Sequence, residues 1–315
     1  MSGIVVAARS FAKNPTLRKE LLARYADVTF NDSGSVLSGE ALIALLRGHE
    51  RAIVGLEPID ERVLSAVPEL RVISKYGVGL DAVDLEAVAR HQVRLAWTGG
   101  VNRRSVSELT IMFAIALLHR LPQADRELRA GQWNPLVGRQ LTGRTVGIVG
   151  CGHVGKDLVA LLKPFGCRVL AHDIRDYRDF YDEHHVEPVS LLRLLQESEI
   201  VTLHVPLDAT TRGMIGAREI AQMQRGAVLI NAARGGLVDE TALRDALVSG
   251  HLSGAAFDVF SQEPPVDRGL LDLPVFLGTP HIGGSTAEAQ LAMGRAAIEG
   301  LETARLIGDG WPEGR

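Results

Sequence analysis

The chain has 315 residues, a hydrophobic content of 46% and a formal net charge of −4 at pH 7. This length predicts about two domains, and the hydrophobic content is sufficient for a core in each of them. The slightly acidic balance argues against a nucleic-acid partner, and no apolar run is long enough to predict a membrane span.

The N-terminal segment has no basic region before its short apolar stretch, so we expect no signal peptide and predict a cytoplasmic protein. The chain has two cysteines, Cys151 and Cys167, and ten scattered histidines. Neither residue type shows the spacing of metal ligands. We therefore expect reduced, structural thiols and no metal site.

The first hundred residues alternate short runs of β-forming residues with segments of helical periodicity. Such alternation predicts parallel βαβ units, and near-continuous apolar strands are typical of a parallel sheet that is covered on both faces. We predict a doubly wound, flavodoxin-like domain with these elements: Ile4–Ala8, Leu17–Tyr25, Val28–Asn31, Gly39–Leu46, Ala52–Leu56, Asp60–Ala66, Val72–Lys75, Leu85–Arg90 and Leu95–Thr98.

The next predicted helix begins near Ser105 and is apolar on nearly every side from Val106 to Leu118. A helix of this composition is buried all round, and a helix that links two domains has few surfaces of its own chain to cover it. Two explanations for the burial of this helix remain: it fills an unusually deep interdomain core, or a second copy of the chain packs against it. We favour the second copy and predict a homodimer.

A strand followed by three glycines and a helix lies near the middle of the chain. Gly150 permits a tight turn, Gly152 permits the backbone to approach a pyrophosphate, and Gly155 permits the helix to pack closely on the sheet. We expect this turn, with His153 and Val154 at the helix N-terminus, to hold the phosphates of a dinucleotide. Glycine trios also occur by chance, so the flanking sequence has to support this assignment.

The flanking sequence does support it, because a helix over Lys156–Phe165 leads to a second strand, Arg168–His172, which is followed by Asp173. An acidic residue at this distance accepts hydrogen bonds from the adenosine ribose hydroxyls and repels a 2′-phosphate, which favours NAD over NADP. Two alternatives stay open: Asp173 could be an ordinary turn residue, and Arg175 could allow the use of NADP.

The remaining elements complete a nucleotide-binding domain of the Rossmann type. Its further strands are predicted over Ile200–Val205, Ala227–Asn231, Ala255–Val259 and Val275–Leu277, and its further helices over Ser190–Glu197, Ala217–Gln222 and Glu240–Val248. The last helix, Ala287–Leu306, has an apolar stripe that needs a core to cover it. We expect this helix to return to the first domain.

Three further segments carry an arginine, a glutamate and a histidine in this order: Asn231–Asp239 with Arg234, Phe257–Pro264 with Glu263, and Thr279–Gly284 with His281. With these motifs, the two doubly wound domains and the glycine turn, the chain resembles the D-isomer-specific 2-hydroxyacid dehydrogenases over almost its whole length. The resemblance implies an NAD-dependent oxidoreductase that transfers a hydride between nicotinamide and a 2-hydroxy or 2-keto acid.

The reduction of a keto acid requires a hydride, a proton for the carbonyl oxygen and a cation for the carboxylate. Histidine exchanges a proton near neutral pH, and the resemblance assigns this role to His281. Glu263 would orient the imidazole, and Arg234 would bind the carboxylate and polarise the carbonyl group. Taken singly, each of the three could be an ordinary loop residue, but all three follow predicted strands, where open α/β sheets bind ligands. The resemblance also implies cofactor contacts from Ala232 and Asp258, with a capping role as the alternative for Asp258.

A small anion nest is expected in the first domain, where glycines follow a strand. By resemblance, the backbone of Gly77, Val78 and Gly79 would bind the substrate carboxylate. Lys75 stands where phosphoglycerate-type members place a basic residue against a distal phosphate. The sequence therefore suggests a second anionic group on the substrate, such as a phosphate or phosphonate, with a solvated lysine as the alternative.

We predict an NAD-dependent 2-hydroxyacid dehydrogenase with a substrate-binding domain of residues 1–98 and 287–315 and a Rossmann domain of residues 99–286. Its partners would be a small anionic 2-hydroxy or 2-keto acid and a second copy of the chain, with neither nucleic acid nor membrane. The alternatives are a glyoxylate or hydroxypyruvate reductase and a non-catalytic, NAD(H)-sensing protein of the corepressor kind.

Overall fold

A computed structural model describes residues 3–308 of the chain. These residues form two compact units, one made of the chain up to Asn102 together with the chain from Ser285 onward, the other made of Arg103–Gly284. The strands are β1 Gly3–Val6, β2 Val28–Phe30, β3 His49–Val54, β4 Val72–Lys75, β5 Arg94–Ala96, β6 Thr145–Val149, β7 Arg168–His172, β8 Val186–Pro188, β9 Ile200–Leu203, β10 Val228–Asn231, β11 Gly254–Phe257 and β12 Phe276–Gly278.

The helices cover the faces of the two sheets. They are α1 Arg9–Ala12, α2 Pro15–Leu22, α3 Gly39–Leu46, α4 Glu61–Ala66, α5 Leu85–Arg90, α6 Arg103–Leu118, α7 Leu121–Arg129, α8 His153–Leu162, α9 Arg178–His184, α10 Leu191–Glu197, α11 Ala217–Gln222, α12 Glu240–Val248 and α13 Ala287–Thr303.

The sheet of the first unit is parallel, with the strand order β2-β1-β3-β4-β5. This is the order of flavodoxin-like sheets, as predicted. Successive residues of β1 point to opposite faces: Ile4 and Val6 pack with α1, α2 and α13, whereas Val5 packs with α3, α4 and α5. Helix α13 lies in this unit, where the Ser74 hydroxyl donates to the Ala297 carbonyl oxygen at 2.7 Å.

The sheet of the second unit is also parallel, with the order β12-β11-β10-β9-β6-β7-β8. Counted from β6, this is the Rossmann order with one added edge strand, so the predicted doubly wound fold is confirmed in both units. The strand order reverses between β6 and β9. Ligands of open α/β sheets bind at this reversal, beyond the carboxyl ends of the strands.

Helix α6 finds most of its cover inside its own unit, which differs from the expectation of burial on every side. Phe113, Leu117 and Leu118 are buried in the core that α6 shares with α8 and the sheet, whereas Met112 is 42% exposed. Among the described residues, no single helix is long and apolar enough to cross a membrane, and α6 with α7 reaches that length only as a pair bent by 64°.

Several short elements were not predicted, among them α7, α9 and the edge strand β8. The elements α9 and β8 are short, and α7 exposes its apolar residues. Helix α8 begins at His153, three residues earlier than predicted, because the chain enters the helix directly after Gly152. The predicted end of the helix, 163–165, is a turn of 3₁₀ helix that Gly166 closes in the left-handed conformation.

Candidate active site

In the glycine turn after β6, each of the three glycines is explained by a different structural requirement. Gly150 has a φ of +94°, and a Cβ there would lie 2.6 Å from the His204 carbonyl oxygen. A Cβ at Gly155 would collide with the Gly150 carbonyl oxygen. Gly152 has a φ of −75°, and a Cβ there would meet nothing within 4 Å. Neither backbone strain nor packing in the chain explains Gly152, so the open space beside it fits an external group.

Helix α8 begins at this open space with its first-turn N–H groups uncapped by any side chain, and it has no acidic residue in its first turn. These features suit the pyrophosphate of a dinucleotide. The side chain of His153 stands at this end, and partial burial, together with the charges of Arg103 and Lys156, lowers its pKa. The protonated form of His153 is therefore disfavoured, and Arg103 and Lys156 carry positive charge near the turn.

The carboxylate of Asp173 is anchored on both oxygens by backbone donors. Cys151 N–H donates to Oδ2 at 2.7 Å, and Arg175 N–H donates to Oδ1 at 2.8 Å. A carboxylate oxygen has two lone pairs, so each oxygen can still accept a hydrogen bond from a ribose hydroxyl. The sequence did not indicate Ile174, which is 98% exposed beside Asp173 and offers an apolar surface at this edge.

His281 and Glu263 lie in contact after β12 and β11. Imidazole Nδ1 is 2.8 Å from Glu263 Oε2, while Glu263 Oε1 accepts from the Phe260 N–H at 3.1 Å. The His281 side chain is 49% exposed, and no hydrogen bond of Nε2 is found within residues 3–308. Nε2 is therefore the ring nitrogen that can face a reacting molecule, and the carboxylate fixes the proton on Nδ1.

The loop that carries His281 is tied to Asp258, which is 1% exposed. Oδ1 of Asp258 accepts from the Thr279 hydroxyl at 2.6 Å and from Ile282 N–H at 2.7 Å, and Oδ2 accepts from Gly283 N–H at 2.7 Å. This is the loop-holding role that was considered as an alternative for Asp258. It leaves one lone pair of Oδ2 for the expected contact to the nicotinamide carboxamide.

Arg234 follows β10 in a turn that Asn231 organises. The buried Asn231 side chain donates to the Arg234 carbonyl oxygen at 2.8 Å and accepts from Ala233 N–H at 3.1 Å. Ala232 lies half-buried within this turn. Gly235 allows the turn to touch the next loop, because a Cβ there would collide with the Phe260 carbonyl group. The sequence offered one signal for Asn231, a polar residue at the end of an apolar strand.

In the first unit, Lys75 ends β4 and is 5% exposed, so it is not the solvated lysine that was the alternative. Its Nζ donates to the Gly55 carbonyl oxygen at 2.6 Å and to the Tyr76 carbonyl oxygen at 3.2 Å. The following loop begins with Gly77 at a φ of +108°, where a Cβ would lie 3.5 Å from Lys75 Nζ. Val78 and Gly79 continue this loop and are half-buried.

Comparison with known proteins agrees with this geometry. Residues 111–283 match the family described as D-isomer specific 2-hydroxyacid dehydrogenase, NAD binding domain. The D-3-phosphoglycerate dehydrogenase of Methanocaldococcus jannaschii is 38% identical over 247 residues, which cover 78% of this chain and 47% of that protein. The glyoxylate reductase of Korarchaeum cryptofilum is 36% identical over 269 residues, which cover 83% of this chain and 78% of that protein.

The chain spans about half the length of the phosphoglycerate dehydrogenases that it matches. Among solved structures, a protein of Polaromonas assigned to the D-isomer specific 2-hydroxyacid dehydrogenases superposes with a TM-score of 0.87. It is 30% identical, and the match covers 96% of both chains.

Proposed function

Since the chain belongs to the D-isomer specific 2-hydroxyacid dehydrogenase family and is an NAD-dependent enzyme of that family, we propose that it interconverts a small 2-keto acid and the corresponding 2-hydroxy acid. The observation that supports this most is the His281–Glu263 pair, in which Nδ1 is held by a carboxylate and Nε2 has no partner among the described residues. Such a pair can give a proton and take it back at one fixed atom.

The glycine turn and Asp173 would hold NAD, which when bound would supply or accept the hydride. In the direction of reduction, protonated His281 gives the Nε2 proton to the substrate oxygen as negative charge develops there. Glu263 stabilises the imidazolium before this transfer and keeps the ring from rotating. Arg234 supplies a planar cation for the carboxylate of the substrate, a geometry in which two parallel hydrogen bonds form.

The replacement His281→Asn tests this proposal. It removes the proton donor and leaves the glycine turn and Asp173 unchanged, so we expect kcat to fall about 10²- to 10⁴-fold with no change in the Kd of NADH. NADH oxidation with saturating 2-keto acid gives kcat, and the quenching of NADH fluorescence gives the Kd. A loss of less than about tenfold, with hydride transfer as the slow step, would contradict the role of His281.

Two substrate types fit this chemistry, and they differ in what they require of Lys75. A substrate with a distal phosphate or phosphonate uses Lys75 as a cation for that group, whereas glyoxylate or hydroxypyruvate has no such group to bind. A panel of 2-keto acids with and without a distal anion separates the two types. The ratio of kcat/KM between matched members of the panel is the quantity to compare.

We also propose a homodimer that works in the cytoplasm and pairs through α7 and the segment after it. Helix α7 has no buried residue, and isolated helices of nine residues are not stable in water, so α7 needs a further packing partner. Its residues Leu121 and Leu128 are 55% and 57% exposed, and Trp133 and Val137 beyond it are 84% and 88% exposed. A second copy of the same surface would cover these side chains.

The mass of Leu128→Asp in solution tests the dimer. Light scattering should give the mass of one chain for this variant and of two chains for the parent. Leu192→Asp is the matched control, because Leu192 is 52% exposed on α10, away from this surface, and this variant should keep the mass of two chains. A parent protein with the mass of one chain would refute the proposal.

A further inference from the structure

Two oppositely charged side chains are buried at the carboxyl edge of the first sheet. Glu57, in the loop after β3, is 0% exposed, and Lys75, at the end of β4, is 5% exposed. Strands β3 and β4 are neighbours, with Val54 opposite Lys75 in the register. Charged side chains are almost never buried to this degree unless they are paired.

Both side chains bind the same residue of the backbone, Gly55. Glu57 Oε2 accepts from Gly55 N–H at 2.6 Å, and Lys75 Nζ donates to the Gly55 carbonyl oxygen at 2.6 Å. The other carboxylate oxygen, Oε1 of Glu57, is buried and has no hydrogen-bond partner within the described chain. A buried carboxylate with an unpartnered oxygen is costly, and an ammonium group bound to the same backbone residue can offset part of this cost by its charge.

The ammonium group also lies against the loop that follows β4. Lys75 Nζ donates to the Tyr76 carbonyl oxygen at 3.2 Å, and it would lie 3.5 Å from a Cβ at Gly77. Gly77 itself has a φ of +108°, so the backbone direction at this point depends on a glycine that needs support from its neighbours. The Lys75 ammonium group therefore holds the backbone at the start of the Gly77–Gly79 loop.

We propose that Glu57 and Lys75, two buried charges that bind the N–H and the carbonyl group of the same residue, together position the Gly77–Gly79 loop, so that Lys75 assists the binding of the carboxylate common to all substrates and does not select a distal anion. This inference rests on the proposed binding of the substrate carboxylate by that loop. It favours 2-keto acids whose side chain needs no charge, because the Lys75 ammonium group is buried and bound to the backbone of Gly55 and Tyr76.

Substrate kinetics of Lys75→Met give the first test, with glyoxylate and 3-phosphohydroxypyruvate as the probes. We expect KM to rise by the same factor for both, about 10- to 100-fold, because the loop that Lys75 positions binds the carboxylate that both substrates share. Lys19→Met is the control, since Lys19 is exposed on α2, and its KM values should match those of the parent. A rise confined to 3-phosphohydroxypyruvate would overturn the inference and assign Lys75 to a distal phosphate.

Thermal unfolding gives a second test that needs no turnover. Glu57→Gln keeps an acceptor for Gly55 N–H and removes only the charge, so it should lower the Tm by several degrees, as should Lys75→Met. The double variant has no unpaired charge, and its Tm should lie above that of each single variant. Additive losses in the double variant would show that the two charges do not interact, and would overturn the pair.

The two tests separate this inference from the proposed function. A parent protein that reduces no 2-keto acid of the panel would contradict the proposed function, while the unfolding cycle would still decide whether Glu57 and Lys75 are paired. An active parent whose single variants change neither KM nor Tm would contradict the inference and leave the proposed function in place.

Discussion

The replacement Glu263→Gln tests the proton chemistry most sharply, because the carboxylate makes two hydrogen bonds that an amide cannot both reproduce. Glu263 Oε1 accepts from Phe260 N–H at 3.1 Å, and Oε2 is 2.8 Å from His281 Nδ1. Both neighbours act as donors to the carboxylate. Glutamine offers one acceptor and one donor group in the same place, so one of the two contacts has to change.

In the first orientation, the amide oxygen of the new glutamine faces Phe260 and its NH₂ group faces Nδ1 of His281. The ring is then held neutral with its proton on Nε2, so it cannot accept a proton from a hydroxy acid, and it cannot become the imidazolium that gives a proton to a keto acid. In the second orientation, the oxygen faces Nδ1 and the NH₂ group meets the Phe260 N–H. The ring is then correctly protonated, but a backbone donor loses its partner.

We expect the glutamine of the variant to adopt mainly the first orientation, and we expect only the minor second orientation to be active. The unpaired donor costs about 1–3 kcal/mol, and the exchange of a charged acceptor for a neutral one costs about 1 kcal/mol more. The total of about 2–4 kcal/mol corresponds to a loss of about 30- to 1,000-fold in kcat. The Kd of NADH should not change, because Glu263 makes no contact with the glycine turn or with Asp173.

The assay is NADH oxidation at saturating 2-keto acid, repeated with NADH deuterated at the transferred position to show that hydride transfer limits the rate. Glu240→Gln is the matched control, because Glu240 binds the neighbouring Ser261 through its N–H and its hydroxyl group, both at 2.7 Å. It should retain the parent rate within a few-fold. If Glu263→Gln loses less than about tenfold while the isotope effect is expressed, Glu263 does not orient a proton-transferring imidazole.

Three further predictions concern the cofactor edge. Asp173→Ser should raise kcat/KM for NADP relative to NAD, because it removes the charge that repels a 2′-phosphate; an unchanged ratio would assign the ribose to another residue. Burial lowers the pKa of His204 to about 4, so the folded chain keeps this ring neutral while the unfolded chain gains a proton below about pH 6.5. Between pH 7 and about pH 4.5, the parent should therefore lose about 2–3 kcal/mol more of its free energy of unfolding than His204→Gln, as measured by urea unfolding. Equal losses for the two proteins would contradict the lowered pKa of His204. Burial, with the charge of Asp173, raises the pKa of Cys151 to about 12, so iodoacetamide at mildly alkaline pH should label this thiol only after unfolding, as peptide mass spectrometry would show.

The sheets were predictable from sequence because parallel strands buried on both faces are short, apolar and separated by helical periods. Strand β4 and helix α5 have the predicted ends, since Asp84 caps α5 by accepting from Ala87 N–H at 2.9 Å. Helix α7 was not predictable, because its apolar residues are exposed. Within the described chain they pack into no core that the sequence could have indicated. In the proposed dimer, a second copy of the chain would cover these side chains.

The residues of the candidate site were predictable where the backbone conformation requires a particular residue type. They were less predictable where a role depends on tertiary contacts of the side chain. Gly150 and Gly155 are required by φ and by packing, so their spacing identified the nucleotide turn. Lys75 was assigned to solvent or to a distal anion, because its sequence position shows neither its burial nor its contact with Gly55. Glu57 was overlooked for the same reason: a glutamate before a proline is ordinary in a loop, and only the fold reveals its burial.

Two carboxylates hold His281. Asp258 binds the loop that carries it and Glu263 binds its ring, and the difference follows from their environments. Asp258 is buried and accepts three hydrogen bonds from the loop, so it fixes the backbone of His281, whose φ of +55° is unusual for a residue other than glycine. Glu263 is partly exposed, with 38% of its side chain accessible, and binds the ring itself. A substrate at Nε2 would therefore exclude solvent from Glu263, which is accessible, and not from Asp258, which is already buried. Such desolvation would strengthen the attraction between Glu263 and the imidazolium and leave the contacts of Asp258 unchanged. The backbone is thus held before the substrate arrives, and the proton is held most tightly when it is about to move.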